Sequence, residues 1–169
     1  MNQSELQLDT KITLRPATRD DTGRLLGMIQ ALADYQNQGT HVTVTEDILA
    51  RDGFGPSPQF ECVLAEVGGQ SIGMAIFHAT YSTWTGQRGL FIEDLFVDES
   101  VRSRGVGRAL VKEITRIAQD RTCQYIALNV VHANPARNFY DHYGFVYLDD
   151  VLTYRLSDKQ FHKLESSSE

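Results

Sequence analysis

The spacing of apolar residues changes along the chain, and each change predicts an element. Residues 12–15 alternate as a first strand that Pro16 stops. From Thr18 to Tyr35, apolar residues Leu25, Leu26, Met28, Ile29, Leu32 and Ala33 recur at helical spacing, with Asp20 and Asp21 suited to the first turn. Thr43 with Glu46, or Thr45 alone, caps a second short helix through Arg51, and DGFGPSP at 52–58 reads as a loop. Residues 60–67 and 71–81 form a hairpin around Gly68 and Gly69. A turn near Gly86 leads into FIEDLFV at 91–97, a buried strand carrying Glu93 and Asp94. Val106, Leu110, Ile114, Ile117 and Ala118 then define an amphipathic helix.

Residues 125–131 read as a further strand. Asn134 and Pro135 open a helix that Gly144 ends. Residues 145–150 and 152–156 read as a closing strand pair, and Ser157 caps a terminal turn. The order β-α-α-β-β-β-α-β-α-β-β predicts an α/β (α+β) fold, a mixed sheet with helices on its faces. A single domain is expected over residues 1–169, with 1–10 as a loose tail.

Two features of 89–121 point to chemistry. Adjacent strand residues face opposite ways, so either Glu93 or Asp94 lies against an apolar face, or a bulge leaves both solvated. A carboxylate beside apolar surface is paired, protonated or functional, here as a general base or as the counter-charge of a cationic amine. The second feature is Arg102-Ser-Arg-Gly105-Val-Gly107 at a helix start, where unpaired N–H groups and the positive dipole end suit a phosphate. It is neither a dinucleotide fingerprint, since the third glycine position is Leu110, nor a Walker A loop. Gly69-Gln-Ser71-Ile-Gly73 matches the letters of a hydrolase nucleophile elbow, but a turn opening a strand is the wrong context.

Composition narrows the partners. The net charge of −6 argues against a general nucleic-acid binder. No apolar run reaches the ~20 residues of a membrane span, and the first residues lack a signal-peptide pattern. Cys62 and Cys123 lie far apart in apolar strand-like runs, which fits free thiols in a cytoplasmic protein. The five histidines show no metal-ligand spacing, and no metal is expected. His78, in an apolar strand, reads as a core histidine, and Trp84 in TYSTWTGQRG as either a lid on the core or a wall for a cationic ligand.

IxLRPAT, LADY, DGFG, TYSTWTG, IEDLFV, RSRGVG and the Asn134…Phe139-Tyr140…Gly144-Phe145 helix, standing in this order, resemble the GNAT N-acetyltransferase superfamily. More narrowly, they resemble its spermidine/spermine (diamine) and thialysine branch. The resemblance implies acetyl-CoA as co-substrate. Its pyrophosphate would lie on the backbone of Arg102, Ser103, Arg104, Gly105, Val106, Gly107 and Arg108, and its pantetheine arm along Leu95, Phe96 and Val97. Asn134 and Tyr140 would complete the cofactor side, and 125–131 would form the other wall of a splay between two central parallel strands. The N–H of Leu95 would steady the oxyanion, Tyr140 would protonate the leaving thiolate, and Glu93 would help deprotonate the amine, through water. Tyr35, Gln36, Ser82, Trp84, Glu93 and Asp94 would line the amine end.

Gln36 and Ser82 stand where polyamine acetylators tend to carry acids, which favours a short amine over spermine. The branch further implies a homodimer. Acetylation of a protein or peptide, and a non-catalytic CoA-binding sensor, are the alternatives.

Overall fold

The structure, a computed structural model, describes residues 11–158, 160 and 161. The expected tail at 1–10 lies outside the described residues. The chain forms two compact units, one ending at Asn129 and the other starting at Val130.

The first unit holds one five-stranded sheet in the order β1 (Thr13–Pro16), β2 (Glu61–Val67), β3 (Gln70–Ser82), β4 (Gln87–Val97), β5 (Tyr125–Leu128). All neighbours are antiparallel except β4 and β5, which are parallel. Gly68 and Gly69 both take positive φ, 58° and 81°, and close the β2–β3 turn. Helix α3 (Val106–Asp120) lies on one sheet face, burying Val106, Leu110 and Ile114 against Val63, Ala75, Phe77, Leu90 and Ile92. Each such side chain taken fully from water contributes about 2 kcal/mol. Helices α1 (Thr22–Tyr35) and α2 (Glu46–Phe54) cover the other face, where Leu25, Met28 and Leu49 meet Cys62, Leu64, Met74, Ile76 and Phe96.

A buried carboxylate ties α1 to the sheet. Asp21, in the 3-10 turn Arg19–Asp21 that precedes α1, is 2% exposed. Arg15 of β1 grips it with two N–H···O bonds of 2.7 and 2.8 Å, Arg24 adds one of 2.9 Å, and the Thr18 N–H donates at 2.8 Å. The same Arg15 reaches Glu66 at 2.8 Å. The Arg15 guanidinium, and after it the Thr18 donors, hold the Asp21 carboxyl well below the usual carboxylate range against the opposing pull of burial.

Gly73 sets how closely α3 approaches β3. A Cβ there would come 2.8 Å from the Phe96 carbonyl oxygen and 3.2 Å from Val106 Cγ1. Gly73→Ala is therefore expected to push the first turn of α3 off the sheet and cost about 1–3 kcal/mol in urea unfolding.

One of the two caps offered for α2 is used, and several expected boundaries move, with α1 starting at Thr22 after a 3-10 turn and β4 starting at Gln87. Thr45, not Thr43, caps α2, its hydroxyl accepting from the Ile48 N–H at 3.3 Å. Helix α2 also runs past Arg51 into the expected loop, as far as Phe54. Gly53 is tolerated there because it is a packing device: a Cβ would sit 2.5 Å from the Phe60 ring. The expected strand at 125–131 ends at Leu128, where its pairing with β4 stops.

The second unit contains α4 (Arg137–His142). Its helix starts later than Asn134, whose side chain instead accepts from the Ala136 N–H at 2.9 Å in a turn. Gly144, at φ 83°, ends it. The expected closing strands at 145–150 and 152–156 do not form. Their alternating apolar residues stand exposed, Val146 at 80%, Leu152 at 75% and Tyr154 at 89%. A strand needs a hydrogen-bonded neighbour, and among the described residues this segment has none.

Candidate active site

The two acids of β4 owe their placement to a bulge. Ile76 of β3 pairs with Asp94 and Phe77 pairs with Ile92, so Glu93 is the extra residue. A bulge turns the residue before Asp94 toward the same face as Asp94, which is why the two acids do not face opposite ways. That face is the α1/α2 side, since Ile76 belongs to the core there. Glu93 is half exposed and takes a 3.0 Å contact from His78 Nε2. Asp94 is more enclosed: burial, and then the Glu93 charge, raise its pKa. His78 is therefore not a core histidine. It stacks on Phe91 (centroids 5.4 Å apart) with its side chain 34% exposed.

The bulge also marks where β4 loses its parallel neighbour. Pairing with β5 ends at Ile92 opposite Leu128, so 93–97 present an unpaired edge on that side. Asp98 donates its N–H to Ile72 O of β3 at 2.9 Å, while the Val97 carbonyl accepts from Arg102 Nε at 3.1 Å on the other side. Alternation along the strand then turns the N–H groups of Leu95 and Val97 toward the open edge and Phe96 toward β3. The side chain of Leu95 packs on the α3 core, and Phe96 is buried on the opposite face.

The open edge runs into the turn before α3. Ser103 (φ 64°) and Gly105 (φ 84°) both lie in the left-handed region, and no side chain caps the helix. A Cβ on Gly105 would meet nothing within 4 Å, so glycine serves the backbone angle there and leaves the approach open. The N–H groups of Arg102 and Arg104 are used within the turn, by Glu99 O and Val101 O. Those of Ser103, Gly105, Val106, Gly107 and Arg108 remain for an outside acceptor. Arg102 is a strut: besides Val97 O, it bonds Glu99 Oε1 at 3.0 Å and lies 4.4 Å over the Tyr35 ring. Arg104 and Arg108 are exposed and form no ion pair among the described residues. An anion here meets five amides, a helix dipole and two cations, a set that fits a pyrophosphate.

Of the residues expected at the amine end, Glu93 and Asp94 come together on one face, while the other four fall into two separate groups. Tyr35 and Gln36 end α1 beside Arg102, close to the Val97 end of β4. Ser82 and Trp84 lie at the β3–β4 hairpin, whose turn contains Gly86 at φ 67°, and Trp84 is 98% exposed. The 11 residues of β4 separate the two groups, about 33 Å at ~3.3 Å per residue.

Tyr140 belongs to the second unit. Its ring packs edge-on against Phe139 and Phe145, at 5.3 and 5.5 Å between centroids. Burial pushes its hydroxyl up to about 12, so it stays a proton donor at neutral pH. Of these features, sequence reasoning missed the His78–Glu93 contact, the Asp21 cluster and the Arg102–Tyr35 stack. Counting back from the hairpin turn pairs His78 with Phe91 but carries no sign of the bulge that brings Glu93 alongside.

A mixed sheet with a parallel pair that parts beside an uncapped, glycine-entered helix defines the architecture of an acyl-CoA-using transferase. The acetyltransferase (GNAT) family matches residues 39–145, and the chain belongs to that family. It is an acetyl-CoA-dependent N-acetyltransferase. It is 34% identical over 131 residues to a thialysine N-epsilon-acetyltransferase of Sus scrofa, covering 73% of this chain and 76% of that one. It is 33% identical over 139 residues to the human spermidine/spermine N(1)-acetyltransferase-like protein 1, covering 78% of this chain and 20% of that larger protein. Among solved structures, an aminoglycoside N-acetyltransferase in complex with CoA shares the fold, with a TM-score of 0.70, 20% identity, and coverage of 86% of this chain and 95% of the other. No helix among the described residues is long and apolar enough to cross a membrane.

Proposed function

We propose that this protein acetylates a primary amine of a small molecule, a diamine or a lysine analogue, by direct attack of the amine on the thioester. The observation that carries the reading is the unpaired β4 edge from Glu93 to Val97, which begins at an acid pair and ends at an uncapped helix start. Leu95 and Val97 pair with the pantetheine amides as a neighbouring strand would, and the N–H of Leu95 stabilises the developing oxyanion. The amides of 103–108, with Arg104 and Arg108, hold the pyrophosphate, and Asn134 lies along the same molecule. Glu93 takes the ammonium proton, through water, because a protonated amine has no lone pair to attack with. Tyr140 gives its proton to the departing thiolate.

At the amine end, Asp94 supplies counter-charge, while Tyr35, Gln36, Ser82 and Trp84 bound the pocket. The separation of Tyr35 from Trp84 along β4 supports a homodimer in which the two come from different copies. The exposed apolar residues at 146–154 support the same assembly. No metal, nucleic acid or membrane enters the reaction, and the two free thiols fit a cytoplasmic setting.

Thiol release from acetyl-CoA across an amine panel tests the substrate class. Short diamines and lysine analogues are expected to give kcat/KM at least about tenfold above spermine and above peptides, because Gln36 and Ser82 offer no carboxylate to a long polycation. Highest kcat/KM for peptides would replace this reading with protein acetylation.

A further inference from the structure

His78 lies between two hydrogen-bond acceptors. Its Nδ1 is 3.0 Å from the Ala79 carbonyl oxygen and its Nε2 is 3.0 Å from Glu93 Oε1. A carbonyl only accepts, and an ionised carboxylate only accepts. With Nδ1–H donated to Ala79, the neutral imidazole turns a bare nitrogen toward Glu93. The other neutral tautomer fills that contact but leaves Nδ1 bare against the Ala79 carbonyl, so filling both contacts at once takes one added proton, and the pair is built to receive it. The ring has little freedom to turn away, because Phe91 stacks on it at an interplanar angle of 26°.

Resting on the acetyltransferase reading of Glu93, we propose that His78 is a positioning residue for the transfer. It orients the Glu93 carboxylate and accepts, through it, the proton that Glu93 draws from the substrate ammonium. The proton balance is simple. R–NH3+ gives one proton to the carboxylate–imidazole pair and becomes R–NH2. The amine nitrogen bonds to the acetyl carbon as the C–S bond breaks. The second nitrogen proton leaves on amide formation, so one proton ends on the CoA thiol and one returns to solvent from the pair.

This arrangement places a second proton acceptor directly behind the carboxylate, so that the ammonium proton can be passed on along one hydrogen bond. The pair is partly open to solvent, and few other titratable groups share its face. From β4 it is faced by Asp94, which is itself enclosed and neighbours Glu93; from β2 the same sheet face carries Cys62, a buried thiol. Helices α1 and α2 meet this face with apolar side chains, among them Leu25, Met28, Ile29, Leu32 and Leu49.

The test uses the full chain with acetyl-CoA and its best amine, comparing wild type, His78→Gln, Glu93→Gln, the double variant, and His78→Ala with and without added imidazole. His78→Gln is expected to lower kcat about tenfold, leave KM for acetyl-CoA within about twofold, and remove one ionisation from the acid limb of kcat/KM. The double variant should lose no more than Glu93→Gln alone, because the two residues act as one unit. Imidazole should restore part of the His78→Ala rate. A His78→Gln profile that superimposes on wild type in size and shape overturns the proposal while leaving the acetyltransferase reading intact. Losses that multiply in the double variant overturn it equally. Absence of turnover by wild type with every amine overturns both.

Discussion

Tyr140→Phe is expected to lower kcat about 100-fold while changing acetyl-CoA affinity less than about threefold, since a positioned general acid contributes ~10²–10⁴. The substitution removes one oxygen and leaves the ring packing on Phe139 and Phe145 in place. The thiolate must then leave unprotonated or take its proton from water. Burial keeps the phenol protonated, so wild-type activity should not fall on the alkaline side from loss of this proton until near pH 12. Steady-state kinetics together with calorimetric acetyl-CoA binding separate the two terms. An equal loss of turnover and affinity would make Tyr140 a packing residue only.

The largest expected effect on stability is at Asp21. Asp21→Ala removes the buried acceptor shared by Arg15, Arg24 and the Thr18 N–H, while both arginines stay partly exposed and Arg15 keeps Glu66, so the loss is that of hydrogen bonds to a charged group, about 1.5–3 kcal/mol each. Urea unfolding at pH 7 should show this as a lower midpoint at constant slope. The pH dependence has a definite sign. The folded Asp21 carboxyl titrates below its unfolded value, so its contribution is complete above the unfolded value of about 4 and is lost as the pH falls below it. In Asp21→Asn the unfolding free energy should therefore fall less steeply between about pH 4 and 2 than in wild type. Superimposable acid limbs would mean that the Asp21 carboxyl titrates alike in the folded and unfolded chain, and that its ion pairs add nothing to stability.

The β2–β3 hairpin and α3 could be read directly, because Gly68-Gly69 and the Val106, Leu110, Ile114 spacing each follow from one local rule. The glycine turn before α3 could be read as a phosphate site from the helix start alone, though glycines before a helix fit many loops, whereas the open edge at Leu95 and Val97 was legible only by resemblance. The sequence allows the bulge at Glu93 only as one of two alternatives, since FIEDLFV contains no residue that prefers an inserted position to a regular one. His78 escaped for the same reason, its contact depending on that one-residue shift. Gly53 reads locally as a helix breaker because its partner Phe60 lies seven residues on, beyond the reach of a local rule. The pattern at 145–156 promised strands by its alternation. Alternation describes a face, however, and the neighbour that would complete a ladder is not encoded in it.

The central claim is direct acetyl transfer from acetyl-CoA to a small amine at the open edge of β4. Thiol release and product mass, measured with the preferred amine and without any amine, test it most directly. One thiol released per acetylated amine is expected, with no enzyme-equivalent burst when the amine is withheld. Tight CoA binding with no acetylated product from any amine would contradict it, and so would a stoichiometric burst that leaves the protein itself acetylated.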